Sequence, residues 1–245
     1  MTLFLAVPFW AFGAMNGHQL MPGLPMAALM FVCPGLAAII LVGRTEGSLG
    51  IRALFARAID YKGVRPRACY VPLLLLNPAV FVMSYIAMRI LGTPVPAPEL
   101  EILPALALCA VFLVTALGEE LGWSGYAIDP LQQGWGALWA GLLLGAACAV
   151  FHWVALAEAH RSFAWIAWWS LWTAAQRVIM VWIYNRTAKS IVAMVLIHAS
   201  SNICWQLFPI RGSFFDPRIT GLITTILAIF AIALWMRREI NPTGG

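Results

Sequence analysis

Charged residues are scarce in this sequence of 245 residues. Asp, Glu, Lys and Arg make up 10% of the chain against 62% of hydrophobic residues, and the mean hydropathy is +0.85. Soluble domains carry about 25% charged residues, so the composition excludes an ordinary soluble domain. The net charge of +5 gives no reason to expect a nucleic-acid partner. The chain is predicted to be a multi-pass protein whose surroundings are the lipid bilayer.

Signatures of disulfides, zinc sites and repeated transporter halves are also missing. The five cysteines are odd in number and scattered through apolar runs, which does not fit a disulfide framework or a metal knuckle. The helical zinc motif His-Glu-x-x-His does not occur. Residues 1–100 carry no intramembrane carboxylate or histidine to mirror those of the second half, which disfavours an inverted-repeat transporter.

The apolar runs predict an all-α fold, with one membrane-embedded domain over residues 1–245 and about eight transmembrane helices. Runs bounded by charges, Gly and Pro place the helices near 2–15, 24–43, 69–91, 102–126, 136–157, 162–184, 188–208 and 219–236. Near 48–59, Ile51, Leu54 and Ala58 recur at helical spacing while Arg52 and Arg57 fall off that face. This pattern predicts an amphipathic helix on the membrane surface.

The basic residues predict the orientation, since loops rich in Lys and Arg stay in the cytoplasm. With a cytoplasmic N-terminus, ten of them fall on the cytoplasmic side: Arg44, Arg52, Arg57, Lys62, Arg65, Arg67, Arg186, Lys189, Arg237 and Arg238. Four fall on the other side: Arg89, Arg161, Arg211 and Arg218. We expect an integral protein of a prokaryotic plasma membrane with both termini in the cytoplasm.

The ionisable residues inside the predicted spans are Glu119, Glu120, His152, Arg177 and His198. Such residues are costly in a bilayer unless paired or hydrated, so they mark function by default. Asn202 follows His198 by four residues and shares its helix face. A helical hairpin turning near 133–135, around Gly134, would put Glu119 and His152 about 21 and 26 Å from the turn, at similar depth in the cytoplasmic half to middle of the membrane.

Two carboxylates, two histidines and an asparagine in a hydrated pocket fit amide hydrolysis without a covalent intermediate. A carboxylate acts as general base on a water molecule that an imidazole holds. A second histidine and an amide side chain donate hydrogen bonds to the oxyanion that develops. Zinc is the alternative, because two histidines and a glutamate are zinc ligands, but their spacing does not favour it and no cofactor is expected.

Three segments resemble the signature motifs of the CPBP or Abi family of intramembrane proteases, which includes the type II CAAX prenyl endopeptidases. They are GEELGWSGY (118–126), FHW (151–153) and WIYNRTAKSIVAMVLIHASSN (182–202). The resemblance covers about residues 100–210, the expected catalytic core. It implies an eight-helix fold whose catalytic chamber opens to the cytoplasm and laterally to lipid.

By the same resemblance, Glu119 and His152 would activate water, and His198 and Asn202 would donate to the oxyanion. Glu120 would be the supporting carboxylate. The expected activity is cleavage of a peptide or lipidated protein near the cytoplasmic side of the membrane. Nothing in the chain encodes a preference for a prenylated substrate.

One position departs from the family pattern Glu-Glu-x-x-x-Arg, since Ser124 replaces the arginine. Either Glu120 is held protonated, activity is lost, or another cation compensates the charge. Arg177 is the one intramembrane candidate, and we expect it to pair with the Glu119–Glu120 segment from another helix.

Two further function classes stay open. A catalytically silent member would act as a scaffold or as an immunity factor against a peptide toxin, and the Ser124 departure keeps this alternative open. A proton-coupled carrier would use Glu119 and Glu120 as a relay.

Overall fold

The computed structural model describes residues 1–17, 19–21, 24–61, 64, 67–99 and 101–240. Within them the fold is all-α apart from one short hairpin. Lys62 and Arg65, which contribute to the basic side predicted above, lie outside the described residues.

Eight α-helices follow one another along the described chain. They are α1 (Thr2–Asn16), α2 (Val32–Ile59), α3 (Tyr70–Ile90), α4 (Ile102–Gly122), α5 (Ile128–Glu158), α6 (Phe163–Arg186), α7 (Ile191–Leu207) and α8 (Pro217–Ile240). Short 3₁₀ turns, Met26–Phe31 and Arg67–Cys69, precede α2 and α3, and the π-helical turn Trp123–Ala127 joins α4 to α5. The all-α prediction is confirmed.

Four described segments are long and apolar enough to cross a membrane: Met26–Ile59, Tyr70–Ile90, Ile102–Glu158 and Pro217–Trp235. The apolar helices over Thr2–Met15 and Ile191–Leu207 are shorter. These segments make the chain an integral membrane protein, whereas a total of eight crossings stays a prediction. Helix α6 falls outside both groups, and tryptophans, Gln176 and Arg177 are among the residues that lower its hydropathy.

The segment Ile102–Glu158 folds back on itself. In one straight helix, Glu119 and His152 would be about 50 Å apart, yet the carboxylate and the imidazole are 3.8 Å apart. The chain reverses at Gly136, whose φ of 78° is a conformation that glycine adopts without strain. The prediction of a turn around Gly134 is wrong by two residues, because Gly134 is helical and the reversal occurs at Gly136.

Helix α2 bends at Gly47, where φ is 66°. Residues 48–59 beyond the bend form a separate helical segment at the predicted position, with Leu54 and Ala58 buried and Arg52 exposed. The start of the second predicted helix is wrong, because residues 24–31 form a strand and a 3₁₀ turn instead of α-helix. Strands β1 (Gln19–Met21) and β2 (Leu24–Pro25) pair antiparallel there, with Met21 opposite Leu24.

Close packing of α5 against α6 brings Arg177 towards the site. A Cβ atom on Gly145 would lie 2.6 Å from Ala174 Cα, and one on Gly141 would lie 3.0 Å from Val178 Cα. The small residues therefore let the two backbones approach closely, as in membrane helix pairs.

Candidate functional site

The paired carboxylates lie in the last turn of α4. Consecutive residues of an α-helix point about 100° apart, so Glu119 and Glu120 meet different neighbours. The π-helical turn that follows places Trp123 four residues after Glu119 and Ser124 four residues after Glu120. Each carboxylate then receives a hydrogen bond from its own partner in that turn.

Glu120 is fully buried and has all its donors within the protein. Arg177 donates to both carboxylate oxygens, with NH1 2.9 Å from Oε2 and NH2 3.0 Å from Oε1. Ser124 Oγ also donates to Oε2, and His198 Nδ1 lies 2.8 Å from Oε1. Because a carboxylate accepts without donating, the ring nitrogen Nδ1 carries the proton.

The cation that faces Glu120 thus comes from α6. Arg177 is 4% exposed, so the bidentate ion pair is buried on both sides. Ser124 adds one hydrogen bond from the position where the family pattern has arginine. The expected pairing of Arg177 with the Glu119–Glu120 segment is present, and it is made with Glu120 specifically.

Glu119 has fewer donors and lies at the edge of open space. Trp123 Nε1 donates to Oε2 at 3.2 Å. The other oxygen, Oε1, is 3.8 Å from His152 Nε2, which is longer than a hydrogen bond. Two polar atoms at that separation leave a position beside them where one water molecule bonds to both.

The orientation of His152 is fixed by its own helix. Its Nδ1 lies 2.8 Å from the carbonyl oxygen of Cys148, one turn earlier in α5. A carbonyl only accepts, so Nδ1 donates, and in the neutral tautomer with this proton Nε2 faces Glu119 as an acceptor. The ring also packs against Trp169, with 5.3 Å between centroids.

One cavity of about 370 Å³ joins the predicted site residues. Glu119, His152, His198 and Asn202 all line it, together with Arg177. Glu120 and Ser124 are not among its lining residues and lie behind it, fully or almost fully buried. The sequence therefore brings the four predicted catalytic side chains to one open space and holds the supporting pair in the protein interior.

The cavity extends from Glu119 towards one end of the bundle. On α7 it is lined from His198 to Gln206, and on α6 from Trp169 to Met180. These are the parts of the two helices nearer the 159–162 and 208–216 connections, away from the loops rich in Lys and Arg. The cavity therefore does not run towards the loops rich in Lys and Arg, which the sequence predicts to be cytoplasmic.

Sequence reasoning missed several polar residues near the site. Ser201 Oγ donates to Gln176 Oε1 at 3.1 Å, and both side chains line the cavity. A glutamine directly before an intramembrane arginine is the signal that identifies Gln176. Trp123 gives no such signal, because tryptophans near span ends are common in membrane proteins.

A second polar cluster surrounds Asp129, at the end of the bundle where α6 finishes and α7 begins. Lys189 Nζ lies 2.9 Å from Asp129 Oδ1, and Tyr184 donates its hydroxyl proton to Oδ2 at 3.1 Å. Arg57 reaches the same cluster through the Tyr184 hydroxyl and the carbonyl of Gly125. These contacts attach the 48–59 segment to the core.

Across the described residues, no three His, Cys, Asp or Glu side chains are arranged to hold a metal ion. The absence of zinc stays a prediction, and the chelator experiment below tests it.

Residues 101–204 match the model of the family described as type II CAAX prenyl endopeptidase Rce1-like. This segment is Rce1-like. The match confirms the family indicated by the three sequence motifs, and it contains all the predicted site residues. No curated protein matches the chain.

Proposed function

We propose that this protein is an intramembrane endopeptidase that hydrolyses a peptide bond with a water molecule activated by Glu119 and His152. The observation that carries the proposal is the shared cavity, with Glu119 Oε1 and His152 Nε2 3.8 Å apart and His198 and Asn202 on the facing helix. The Rce1-like match supports a protease of the CAAX type. The substrate is a peptide or lipidated protein in the bilayer, and the membrane is a prokaryotic plasma membrane.

Glu119 is suited to act as the general base. It accepts a proton from the water as the water oxygen attacks the substrate carbonyl carbon, and His152 Nε2 orients that water. The proton then passes to the departing amine nitrogen as the carbon–nitrogen bond breaks. The products are a carboxylic acid and an amine, and Glu119 returns to its starting state.

His198 and Asn202 would stabilise the oxyanion. His198 uses Nδ1 to hold Glu120, so Nε2 faces the substrate and donates when the ring carries both protons. The cluster then contains two carboxylates, Glu119 and Glu120, and two cations, Arg177 and His198. Its charges balance, which matters because an uncompensated charge is very costly in a membrane interior.

The serine at position 124, where the family pattern has arginine, is weak evidence for a catalytically silent protein. Arg177 makes the bidentate contact with Glu120 from α6, so Glu120 is compensated without the family arginine. A scaffold or immunity factor and a proton-coupled carrier remain outcomes that the experiment below separates from a protease.

The test is cleavage of a peptide library by the purified full chain in detergent, read by mass spectrometry of the products. Loss of the general base in Glu119→Gln lowers kcat by about 10²–10⁴-fold, and His152→Ala acts in the same direction. Glu99→Gln, which changes an exposed carboxylate in the loop before α4, is the matched control and keeps full activity.

A chelator in the same assay leaves cleavage unchanged if no metal takes part. Unchanged cleavage by Glu119→Gln would contradict the proposed mechanism. Proton-driven flux in proteoliposomes without cleavage would identify a carrier. A cellular phenotype that survives Glu119→Ala, again without cleavage, would identify a silent protein.

A further inference from the structure

Gln176 is an amide side chain on the face of α6 that lines the cavity. That face consists of Trp169, Thr173, Gln176 and Met180, spaced by four, three and four residues. Trp169, at one end of this face, packs against the His152 ring. Gln176 lies about 10 Å further along the helix and directly precedes Arg177, which bonds Glu120. The amide is therefore close to the level of the buried ion pair.

The oxygen end of the Gln176 amide is held by α7. Ser201 Oγ donates to Gln176 Oε1 at 3.1 Å. Ser201 is 2% exposed and Gln176 8%, so both side chains are enclosed by the bundle. Because the oxygen and the nitrogen belong to one planar amide group, fixing Oε1 also fixes the direction of the two N–H bonds on Nε2.

The nitrogen end of the same amide has no protein partner. Within the part of the chain that the structure describes, no acceptor lies within hydrogen-bond distance of Gln176 Nε2, yet this nitrogen is not sealed off by protein. Since the side chain lines the cavity, the open side of Nε2 is the cavity. Two N–H donors are therefore available to a molecule that enters it.

A hydrogen bond between helices does not by itself account for this arrangement. Amide and hydroxyl side chains commonly join helices in membranes, and the bond between Ser201 and Gln176 does so here. That role uses only the amide oxygen. An N–H group that is removed from water without an acceptor is costly. The unused donors therefore indicate a ligand in the cavity that accepts hydrogen bonds.

A substrate peptide has the matching groups. Each backbone C=O that leaves water must find a donor, and lipid supplies none. The proposed oxyanion donors, His198 and Asn202, are committed to the carbonyl that is attacked. Asn202 directly follows Ser201, so the amide that Ser201 holds lies beside the oxyanion position. Gln176 can thus serve a neighbouring carbonyl of the same peptide.

We propose that Gln176 is a substrate-binding residue whose Nε2 donates to a backbone carbonyl oxygen beside the scissile bond, and that Ser201 is the positioning residue that orients its amide. The identity of the ligand as a substrate rests on the proposed function. The presence of a carbonyl-binding donor in the cavity rests on the contacts of Gln176 alone.

Kinetics with the peptide that the library assay identifies separate binding from chemistry. Gln176→Leu keeps most of the side-chain volume and removes both N–H donors. We expect KM to rise about 2–10-fold, as for the loss of one hydrogen bond, while kcat changes by less than about twofold. Gln133→Leu, at an exposed glutamine of α5, is the matched control and leaves both constants unchanged. An unchanged KM in Gln176→Leu, or a fall in kcat alone, would overturn the proposed role.

The variant Ser201→Ala tests the positioning role. It releases the Gln176 amide, so KM rises in the same direction but by less than in Gln176→Leu. The double variant has the KM of Gln176→Leu, because Ser201 acts through Gln176. Additive increases in KM would show that Ser201 acts independently and would overturn its positioning role. A merely structural role of the pair would lower the folded fraction and leave the KM of the folded protein unchanged.

Backbone substitution in the peptide identifies the bonded group. An E-alkene in place of a peptide bond removes both C=O and N–H, whereas an ester removes only N–H. At one bond beside the scissile bond, we expect the alkene to raise KM for the wild type but not to raise it further for Gln176→Leu. An ester penalty that disappears in Gln176→Leu would overturn the assignment of Gln176 as a donor. Should Gln176→Leu not fold, Ser201→Ala replaces it in this comparison, and the alkene penalty is then smaller than in the wild type.

Binding without cleavage distinguishes this inference from the proposed function. Equilibrium dialysis measures the affinity of an apolar tripeptide, capped by an acetyl group and an N-methylamide, for the full chain carrying Glu119→Gln, with and without Gln176→Leu. We expect Gln176→Leu to weaken binding about 2–10-fold. Equal affinities, or no saturable binding to either protein, would overturn the inference. Weaker binding to Gln176→Leu, with no cleavage of any peptide by the wild type, would reject the protease proposal and retain the carbonyl-binding role of Gln176.

Discussion

Glu119 and Glu120 are neighbours in the sequence, yet the structure holds them in opposite ways. Glu120 is 0% exposed and bonded to Arg177, His198 and Ser124. Glu119 lines the cavity, receives a hydrogen bond from Trp123 and leaves Oε1 3.8 Å from His152. A carboxylate with every oxygen lone pair engaged is a poor base, while one at the edge of a cavity is available to a water molecule. One helix step thus separates a buried, fully bonded carboxylate from one that lines the cavity.

The largest expected effect on stability comes from breaking the Glu120 side. Arg177→Met removes the bidentate arginine from a carboxylate in a fully buried position, which costs about 3–5 kcal/mol of folding free energy. Unfolding of the purified protein in mixed micelles measures the loss. Arg52→Met, at an exposed arginine, is the matched control and stays close to the wild type.

A double variant makes this test specific to the ion pair. Glu120→Gln combined with Arg177→Met removes both charges, so the double variant is less destabilised than the sum of the single changes. Coupling between contacting groups is about 0.5–3 kcal/mol. Additive losses would show that Arg177 and Glu120 act independently, which contradicts the bidentate contact.

A smaller effect is expected at Ser124. Ser124→Ala removes one of the donors to Glu120 but leaves Arg177 and His198 in place, so we expect a loss of about 1 kcal/mol. Cleavage by the variant stays near that of the wild type, because Glu119 and His152 are untouched. A loss of activity as large as that of Glu119→Gln would show that Ser124 takes part in the reaction directly. It would contradict the assignment of a structural role to Glu120 and a catalytic role to Glu119.

Most of the residues in this comparison could be predicted from the sequence, because polar residues are rare in transmembrane segments. Intramembrane ionisable residues are few and costly, so Glu119, His152 and His198 stand out in apolar runs. Periodicity also predicts the positions of most helices, since 3.6-residue spacing is a local property. The contact between Glu120 and Arg177, 57 residues apart, was expected only because Ser124 left a charge without its family partner.

The parts that sequence did not predict depend on packing between distant segments. Strands β1 and β2 contain only three and two residues, too few to leave a periodic signal. The position of the reversal depends on which of two nearby glycines adopts a positive φ, and Gly136 does so instead of Gly134. The packing of the 48–59 segment over Gly125, where a Cβ atom would lie 2.8 Å from Leu54 Cδ1, is likewise encoded by no local pattern.

The smallest effect is expected where an ion pair of the same length is exposed. Lys189 Nζ lies 2.9 Å from Asp129 Oδ1, the distance between Arg177 and Glu120, but the lysine side chain is 55% exposed and that of the arginine 5%. Water and salt screen the exposed pair, so Lys189→Met costs about 0.2–1 kcal/mol. This difference from the wild type shrinks in high salt, whereas the loss in Arg177→Met persists because buried pairs are screened much less. Equal losses in the two variants, measured by unfolding at low and high salt, would mean that burial is not what separates the two ion pairs. In that case, burial would not explain why Glu120 has a structural role while Glu119 is proposed to react.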